Sequence, residues 1–241
     1  MIRIASKSMR LINRFVNRKK IKRKVFCIGL HKTGTTSLSD LARKYGYKAT
    51  HSTNWIFDPM KLEKFEFFCD GGSHFDGINE FDFEYLFYKY PDSLFILQTR
   101  DTKKWVISKL KHAGWDDKTL IEPNDKSKIN HNDWRYKSLL TIEKFIEHKN
   151  NYEKKVVNFF NKNDHIRLLI IDITDRRNQL RELERLVRFL GMRSVTRVAL
   201  KHKNRSKSGT KLSKRVLDFI DEKIIAYNTE IQEEEKSFSI K

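Results

Sequence analysis

The sequence predicts a three-layer α/β fold, a mostly parallel central sheet flanked by helices, on three observations. Short apolar runs alternate with amphipathic helical stretches: Val25-Phe26-Cys27-Ile28, Leu94-Phe95-Ile96-Leu97 and Leu168-Leu169-Ile170-Ile171 each precede a segment with helical periodicity. Glycines stand where two of those helices should stop, at Gly46 and Gly191. The length, 241 residues, suits one domain with its own core. The expected division is a basic N-terminal arm over 1–24, the folded domain over 25–230 and a polar tail over 231–241.

In chain order, Val25 to Ile28 reads as a buried strand and Gly29 to Gly34 as a glycine-bounded turn. Leu38, Leu41, Ala42 and Tyr45 then mark one face of a helix. Phe65 to Cys69 reads as a second strand with Asp70-Gly71-Gly72-Ser73 as its turn, although the functional strand end can also be placed near His74-Phe75-Asp76. A helix is expected over 80–89, a strand over 94–99, and a helix over 102–112 that carries Trp105 and Ser108. Residues 113–130, with Gly114, Asp116, Asp117, Pro123, Asn124 and Asp125, read as a long surface loop. A helical stretch from about Asp133 to Phe160 leads to the strand ending at Asp172. The last predicted helix has Leu180, Leu183, Leu186, Val187 and Leu190 on one face. Ligands of such a fold sit at the carboxyl ends of its strands.

Lys and Arg number 50 against 31 Asp and Glu, a net charge of +19, and ten of the cations fall in residues 1–24, which hold no acid. That balance favours anionic surroundings: nucleic acid, anionic lipid or acidic glycan. No basic recognition helix or stacking-aromatic motif is present, so no nucleic-acid partner is expected, and a non-enzymatic nucleic-acid-binding protein stands as a second alternative on the charge alone. Residues 1–16 set Ile2, Ile4, Met9, Leu11, Ile12, Phe15 and Val16 among cations, which suits either a helix lying on an anionic membrane or a solvated arm. No apolar run reaches the roughly 18 residues of a membrane span, and no cleavable leader precedes the first strand. Two cysteines, Cys27 and Cys69, imply no disulfide framework, so a cytoplasmic, reducing location is expected. No His/Cys spacing suggests a metal site.

The chemistry concentrates after the first strand. A turn that opens a helix presents free backbone N–H groups and the positive end of the helix dipole; Gly34 permits close approach and Lys32 adds a full charge. This is a phosphate site. The nucleoside-triphosphate loop G-x-x-x-x-G-K-S/T shares the glycine spacing of Gly29 and Gly34, but Thr35 stands where its lysine belongs. A different anhydride is implied, although Asp172, which imitates a magnesium-positioning acid, keeps a nucleotide-dependent kinase as the alternative.

Lys32-Thr33-Gly34-Thr35-Thr36 resembles the 5′-phosphosulfate loop of sulfotransferases. These enzymes use 3′-phosphoadenosine 5′-phosphosulfate (PAPS) as sulfonate donor. Tyr90-Pro91, the strand Leu94 to Leu97, Arg100-Asp101, Trp105 and Ser108 resemble the family's second segment, in which a strand-end arginine and a serine eight positions later hold the 3′-phosphate. The resemblance runs from about Val25 to Gly209 and implies a P-loop-like fold and sulfonate transfer without a metal. By that resemblance Lys32, Thr33, Gly34, Thr35, Thr36 and Ser37 hold the phosphosulfate, Lys32 also acting in catalysis, and Arg100 and Ser108 hold the 3′-phosphate. Arg205, Lys207 and Gly209 are similar to the loop that closes over the 3′-phosphate and adenine.

For the base that activates the acceptor, Asp76 occupies the place of the family's D-x-P aspartate, here followed by Gly77-Ile78 without the proline. An ordinary aspartate is a weak base near neutrality, so His74 stands as its rival. The acceptor, a hydroxyl or an amine, is not readable; the positive charge suits an anionic glycan or lipid. Trp55, Trp115 and Trp134 are candidates for stacking on sugars or for the core.

Overall fold

The computed structural model describes residues 23–52, 55–70, 82–112, 115, 139–192 and 212–239. Five strands form one sheet: β1 (Val25–Cys27), β2 (Ala49–His51), β3 (Phe67–Cys69), β4 (Leu94–Gln98) and β5 (Leu168–Ile171). Their order is β2-β3-β1-β4-β5 and every neighbouring pair is parallel, with Val25 opposite both Phe67 and Leu94, and Phe95 opposite Leu168. The chain thus builds β2 and β3 on one side of β1 and β4 and β5 on the other. A sheet that reverses direction in this way opens a crevice at its carboxyl ends beside the central strand.

The helices are α1 (Thr35–Lys44), α2 (Pro59–Lys64), α3 (Phe83–Lys89), α4 (Thr102–His112), α5 (Leu139–Asn163), α6 (Gln179–Phe189) and α7 (Lys214–Ser239). Two compact units divide the chain. One holds the sheet with α1, α2, α3, α6 and the end of α5 from Val156; the other holds α4, the rest of α5 and α7.

Strand alternation sorts the sheet's apolar side chains onto two faces. Val25, Cys27, Phe67, Cys69, Leu94, Ile96, Leu169 and Ile171 pack with Leu38, Leu41, Ala42 and Tyr45 of α1 and with Leu183 and Leu186 of α6. The opposite face is aromatic. Phe26 lies 5.0 Å from Phe68, 5.6 Å from Trp55 and 5.6 Å from Phe95, while Phe160 of α5 reaches Phe95 at 5.0 Å and Phe87 of α3 at 5.5 Å. The expected layers, helices on both faces of a parallel sheet, are therefore present in this unit.

Several elements differ from the sequence reading. The strand expected over Phe65 to Cys69 begins at Phe67, because the Glu66 and Phe67 amides both turn to the Lys48 carbonyl. β3 ends at Cys69, the first of the two strand ends that the sequence allows; the second, near His74-Phe75-Asp76, lies outside the described residues. β2, α2 and α7 have no counterpart among the expected elements, and α5 continues to Asn163. Three-residue β2 has too few positions to show a period, and α2 is only six residues long. Trp55 and Trp115 are buried, and the Trp55 indole donates to the Cys69 carbonyl at 3.1 Å, so both serve as core; Trp134 lies outside the described residues. Cys27 and Cys69 are buried free thiols on adjacent strands, and burial, then the contact with Cys69, pushes the Cys27 thiol well up.

Among the described residues of the second unit, ion pairs, side-chain hydrogen bonds and ring contacts join the elements. Lys103 of α4 pairs with Asp221 of α7 at 2.6 Å, Lys223 of α7 with Glu143 of α5 at 2.8 Å, and Trp115 lies 6.2 Å from Phe145. Among the described residues no helix is long and apolar enough to cross a membrane.

One cation ties α3 to the sheet edge. Arg167, just before β5, donates to the carbonyls of Ser93 (2.9 Å), Tyr90 (2.8 Å) and Phe87 (3.3 Å) and to the Ser93 hydroxyl, with its guanidinium 4.0 Å from the Phe87 ring centroid. The Phe87 and Tyr90 carbonyls lie at the carboxyl end of α3, and the Tyr90 carbonyl also accepts from the Ser93 amide at 2.9 Å and hydroxyl at 2.6 Å. Arg167→Ala should lower unfolding free energy by about 2 kcal/mol and Arg167→Lys, which keeps charge but not the fork, by about half that, read by urea denaturation.

Candidate functional site

Four strand ends converge on one edge of the sheet. His51 ends β2, Asp70 follows β3, the loop Ile28 to Gly34 follows β1, and Arg100 follows β4. The loop between β1 and α1 needs two unusual backbone conformations, φ +68° at Lys32 and φ +97° at Gly34. Gly34 takes the second without penalty; a Cβ there would also come within 2.9 Å of Ile173. At Lys32 the left-handed conformation costs roughly 1–2 kcal/mol, so neighbouring contacts must hold it. Arg100 supplies one by donating from Nη1 to the Lys32 carbonyl at 3.0 Å. Thr33, fully buried, supplies another by donating its hydroxyl to the Leu30 carbonyl.

The start of the loop is held by a side-chain amide. Gln98, the last residue of β4 and fully buried, accepts from the Gly29 amide at 3.0 Å and donates to the Gly29 carbonyl at 3.0 Å. It thereby imitates one more pair of strand hydrogen bonds where the backbones begin to part. The approach leaves no room for a side chain: a Cβ on Gly29 would lie 2.0 Å from the Gln98 carbonyl oxygen.

Helix α1 then opens at Gly34 with no side-chain cap and no acid in its first turn. The positive end of its dipole therefore faces the loop with no carboxylate in that turn to offset it, an arrangement that favours an anion. Charge around the opening is positive. Burial lowers the Lys32 ammonium below its usual pKa, the Arg100 guanidinium lowers it further, and the Asp70 carboxylate pulls the other way. Cations crowded in this manner favour a bound anion that relieves their repulsion.

Thr35 and Thr36 sit in the first turn of α1, and the structure adds partners that the sequence reading lacks. The His51 Nε2 lies 3.1 Å from the hydroxyl oxygens of both Thr35 and Thr36. The Thr35 hydroxyl also donates to Asp70 Oδ1 at 3.4 Å, and Asp70 Oδ2 lies 3.8 Å from His51 Nε2. Asp70 itself has φ +62°. Neither His51 nor Asp70 belongs to the expected site. Asp70-Gly71-Gly72 was legible as a turn after a strand, which was the available signal; nothing in the sequence marked His51.

Of the expected residues, Lys32, Thr33, Gly34, Thr35, Thr36 and Ser37 form the loop and first helical turn, and Arg100 touches that loop. Ser108 is half-buried on α4, in the second unit. His74, Asp76, Arg205, Lys207 and Gly209 lie outside the described residues. Asp172 accepts from the Thr174 amide (2.8 Å), the Thr174 hydroxyl (2.6 Å) and the Asp175 amide (3.3 Å), which accounts for it as the organiser of the turn after β5. Among the described residues no three His, Cys, Asp or Glu side chains gather as a metal-binding group.

A family model described as a sulfotransferase domain matches residues 24–208, from the residue before β1 through Ser208. No curated protein matches the chain.

Gly29→Ala should destabilise the protein by about 3 kcal/mol or more, because the backbone of β4 cannot yield the space. Gln98→Met, similar in volume but unable to pair with Gly29, should cost about 2 kcal/mol. Denaturant midpoints of the two variants check the order.

Proposed function

From a chain that belongs to the sulfotransferase-domain family, we propose an enzyme that transfers the sulfonate of PAPS to a hydroxyl or amine. The observation that supports the donor is the uncapped start of α1 behind a loop that carries Lys32 and is tied to Arg100. In this reading Lys32, Gly34, Thr35, Thr36 and Ser37 hold the 5′-phosphosulfate, with the Thr33 side chain maintaining the turn. Arg100 and Ser108 hold the 3′-phosphate, and Arg205, Lys207 and Gly209 close over the adenosine end.

The reaction is an in-line displacement. The acceptor oxygen or nitrogen bonds to sulfur as the bond from sulfur to the bridging oxygen breaks; that oxygen keeps the electron pair, and the acceptor's proton passes to a base. Lys32 stabilises the charge that grows on the bridging oxygen. Asp76 or His74 is the proposed base. The net charge of +19 supports an anionic acceptor, a glycan or a lipid headgroup, with the basic arm over 1–24 against an anionic membrane and a reducing, cytoplasmic location for the two free thiols.

Thermal melting tests the donor. The product nucleotide, 3′-phosphoadenosine 5′-phosphate, should raise the melting temperature, and ATP with magnesium should not; the reverse result supports the kinase reading and overturns this one. Lys32→Ala should cut turnover about a hundredfold in a labelled-donor assay, and Arg100→Ala should chiefly weaken nucleotide affinity. Comparing turnover of Asp76→Asn and His74→Ala at matched donor saturation assigns the base.

The lowered pKa of Lys32 has a signed consequence. A bound anion raises that pKa toward the ordinary 10.5, so nucleotide binding should take up protons at pH values between the two, and affinity should fall as pH rises through the lower one. Calorimetry in buffers of different ionisation enthalpy reads the uptake, which Lys32→Ala should abolish.

A further inference from the structure

The end of β2 brings an imidazole to the loop that the family resemblance did not include. His51 Nε2 stands 3.1 Å from the hydroxyl oxygens of both Thr35 and Thr36. A ring nitrogen either donates one hydrogen or accepts one, so the two hydroxyls cannot be served in arbitrary ways. Thr35 is nearly buried, and its hydroxyl hydrogen goes to Asp70 Oδ1. Its oxygen is thereby left to accept, which calls for an N–H on His51 Nε2. Asp70 Oδ2, 3.8 Å from that nitrogen, favours the same arrangement, since a carboxylate beside Nε2 attracts a proton and repels a lone pair. The one N–H is then shared between two hydroxyl oxygens. Thr36, only half-buried and in the uncapped first turn of α1, turns its hydroxyl hydrogen away from the ring.

We propose that His51, set by Asp70, is a positioning residue of the donor site: its Nε2–H makes the Thr36 hydroxyl a hydrogen-bond donor toward the 5′ end of the bound nucleotide. This rests on the PAPS reading above and deepens it. The chain builds the device from three strand ends, with β2 supplying the ring, β3 the carboxylate, and β1 leading into the threonines. Without the ring, nothing from β2 directs the Thr36 hydroxyl, and its oxygen lone pairs can face the phosphate as readily as its hydrogen.

Calorimetric titration of the full chain with 3′-phosphoadenosine 5′-phosphate, and with adenosine 3′-monophosphate as a ligand lacking the 5′ group, tests the proposal. His51→Ala should weaken the bisphosphate about tenfold, the scale of one hydrogen bond to a charged group, and leave the monophosphate unchanged. His51→Gln, whose amide N–H reaches a similar position, should restore most of the loss. In a Thr36→Val background, His51→Ala should change bisphosphate affinity less than twofold. Should His51→Ala not yield a folded chain, His51→Phe keeps the ring volume without an N–H, and the same loss is expected.

Equal weakening of both nucleotides, unchanged bisphosphate affinity, or an undiminished effect in the Thr36→Val background would each overturn the role of His51. Failure of the unaltered chain to bind the bisphosphate would overturn the donor assignment instead, and this inference with it.

Discussion

The reciprocal pairing of Gly29 with the Gln98 amide decides where the sheet ends and the loop to α1 begins. Strands β1 and β4 run side by side through Cys27 and Ile96, and their backbones must then part so that the chain can turn toward α1. Parting exposes a buried N–H and a buried carbonyl, each costing on the order of 1–3 kcal/mol if left unpaired. A glutamine at the end of β4 satisfies both at 3.0 Å while the chain leaves the sheet. Only glycine tolerates the resulting approach of 2.0 Å at the Cβ position. The loop is thus anchored at its first residue, and its later geometry follows from that anchor.

The remainder of the loop is held against its own preferences. Lys32 adopts a left-handed conformation that glycine would accept more readily, and its half-buried ammonium feels the charge of the Arg100 guanidinium. Asp70 offsets part of that charge, and Arg100 fixes the backbone through the Lys32 carbonyl. Preorganised positive charge of this kind is poorly satisfied by the protein alone and well satisfied by an anion, which is how a rigid site favours its ligand and a charge-developing transition state. Stability elsewhere supports this arrangement. The aromatic layer around Phe26 and the aliphatic layer of α1 and α6 clamp the sheet from both sides.

How much was legible follows the range of the physical signal. The loop from Gly29 to Thr36 could be read because glycine spacing, a lysine and hydroxyls within eight residues are a local pattern with a local cause. Arg100 could be read only through the resemblance of the strand, Arg100 and Ser108 to the second sulfotransferase segment, taken together with the first loop. β2 could not: Ala49-Thr50-His51 is too short for a period and is a strand only because β3 lies beside it. His51 disappears with it, since a histidine in an apparent loop carries no signal. Asp70 was visible as a turn residue, but its meaning depends on β3 ending at Cys69 and on the hydroxyl of Thr35 facing it.

The sequence by itself determined the class of fold and the glycine-bounded loop that carries Lys32, because apolar periodicity, glycine and charge act over a few neighbouring residues. Only the tertiary structure decided that Gln98 closes on Gly29 across 69 positions and that His51 and Asp70 meet Thr35 and Thr36. Those contacts arise from parallel strands whose connections are long and whose order is not their order in the chain. Hydrogen bonds across such strand ends require exact register and facing. Both are properties of the assembled sheet, and neither is written in a single segment.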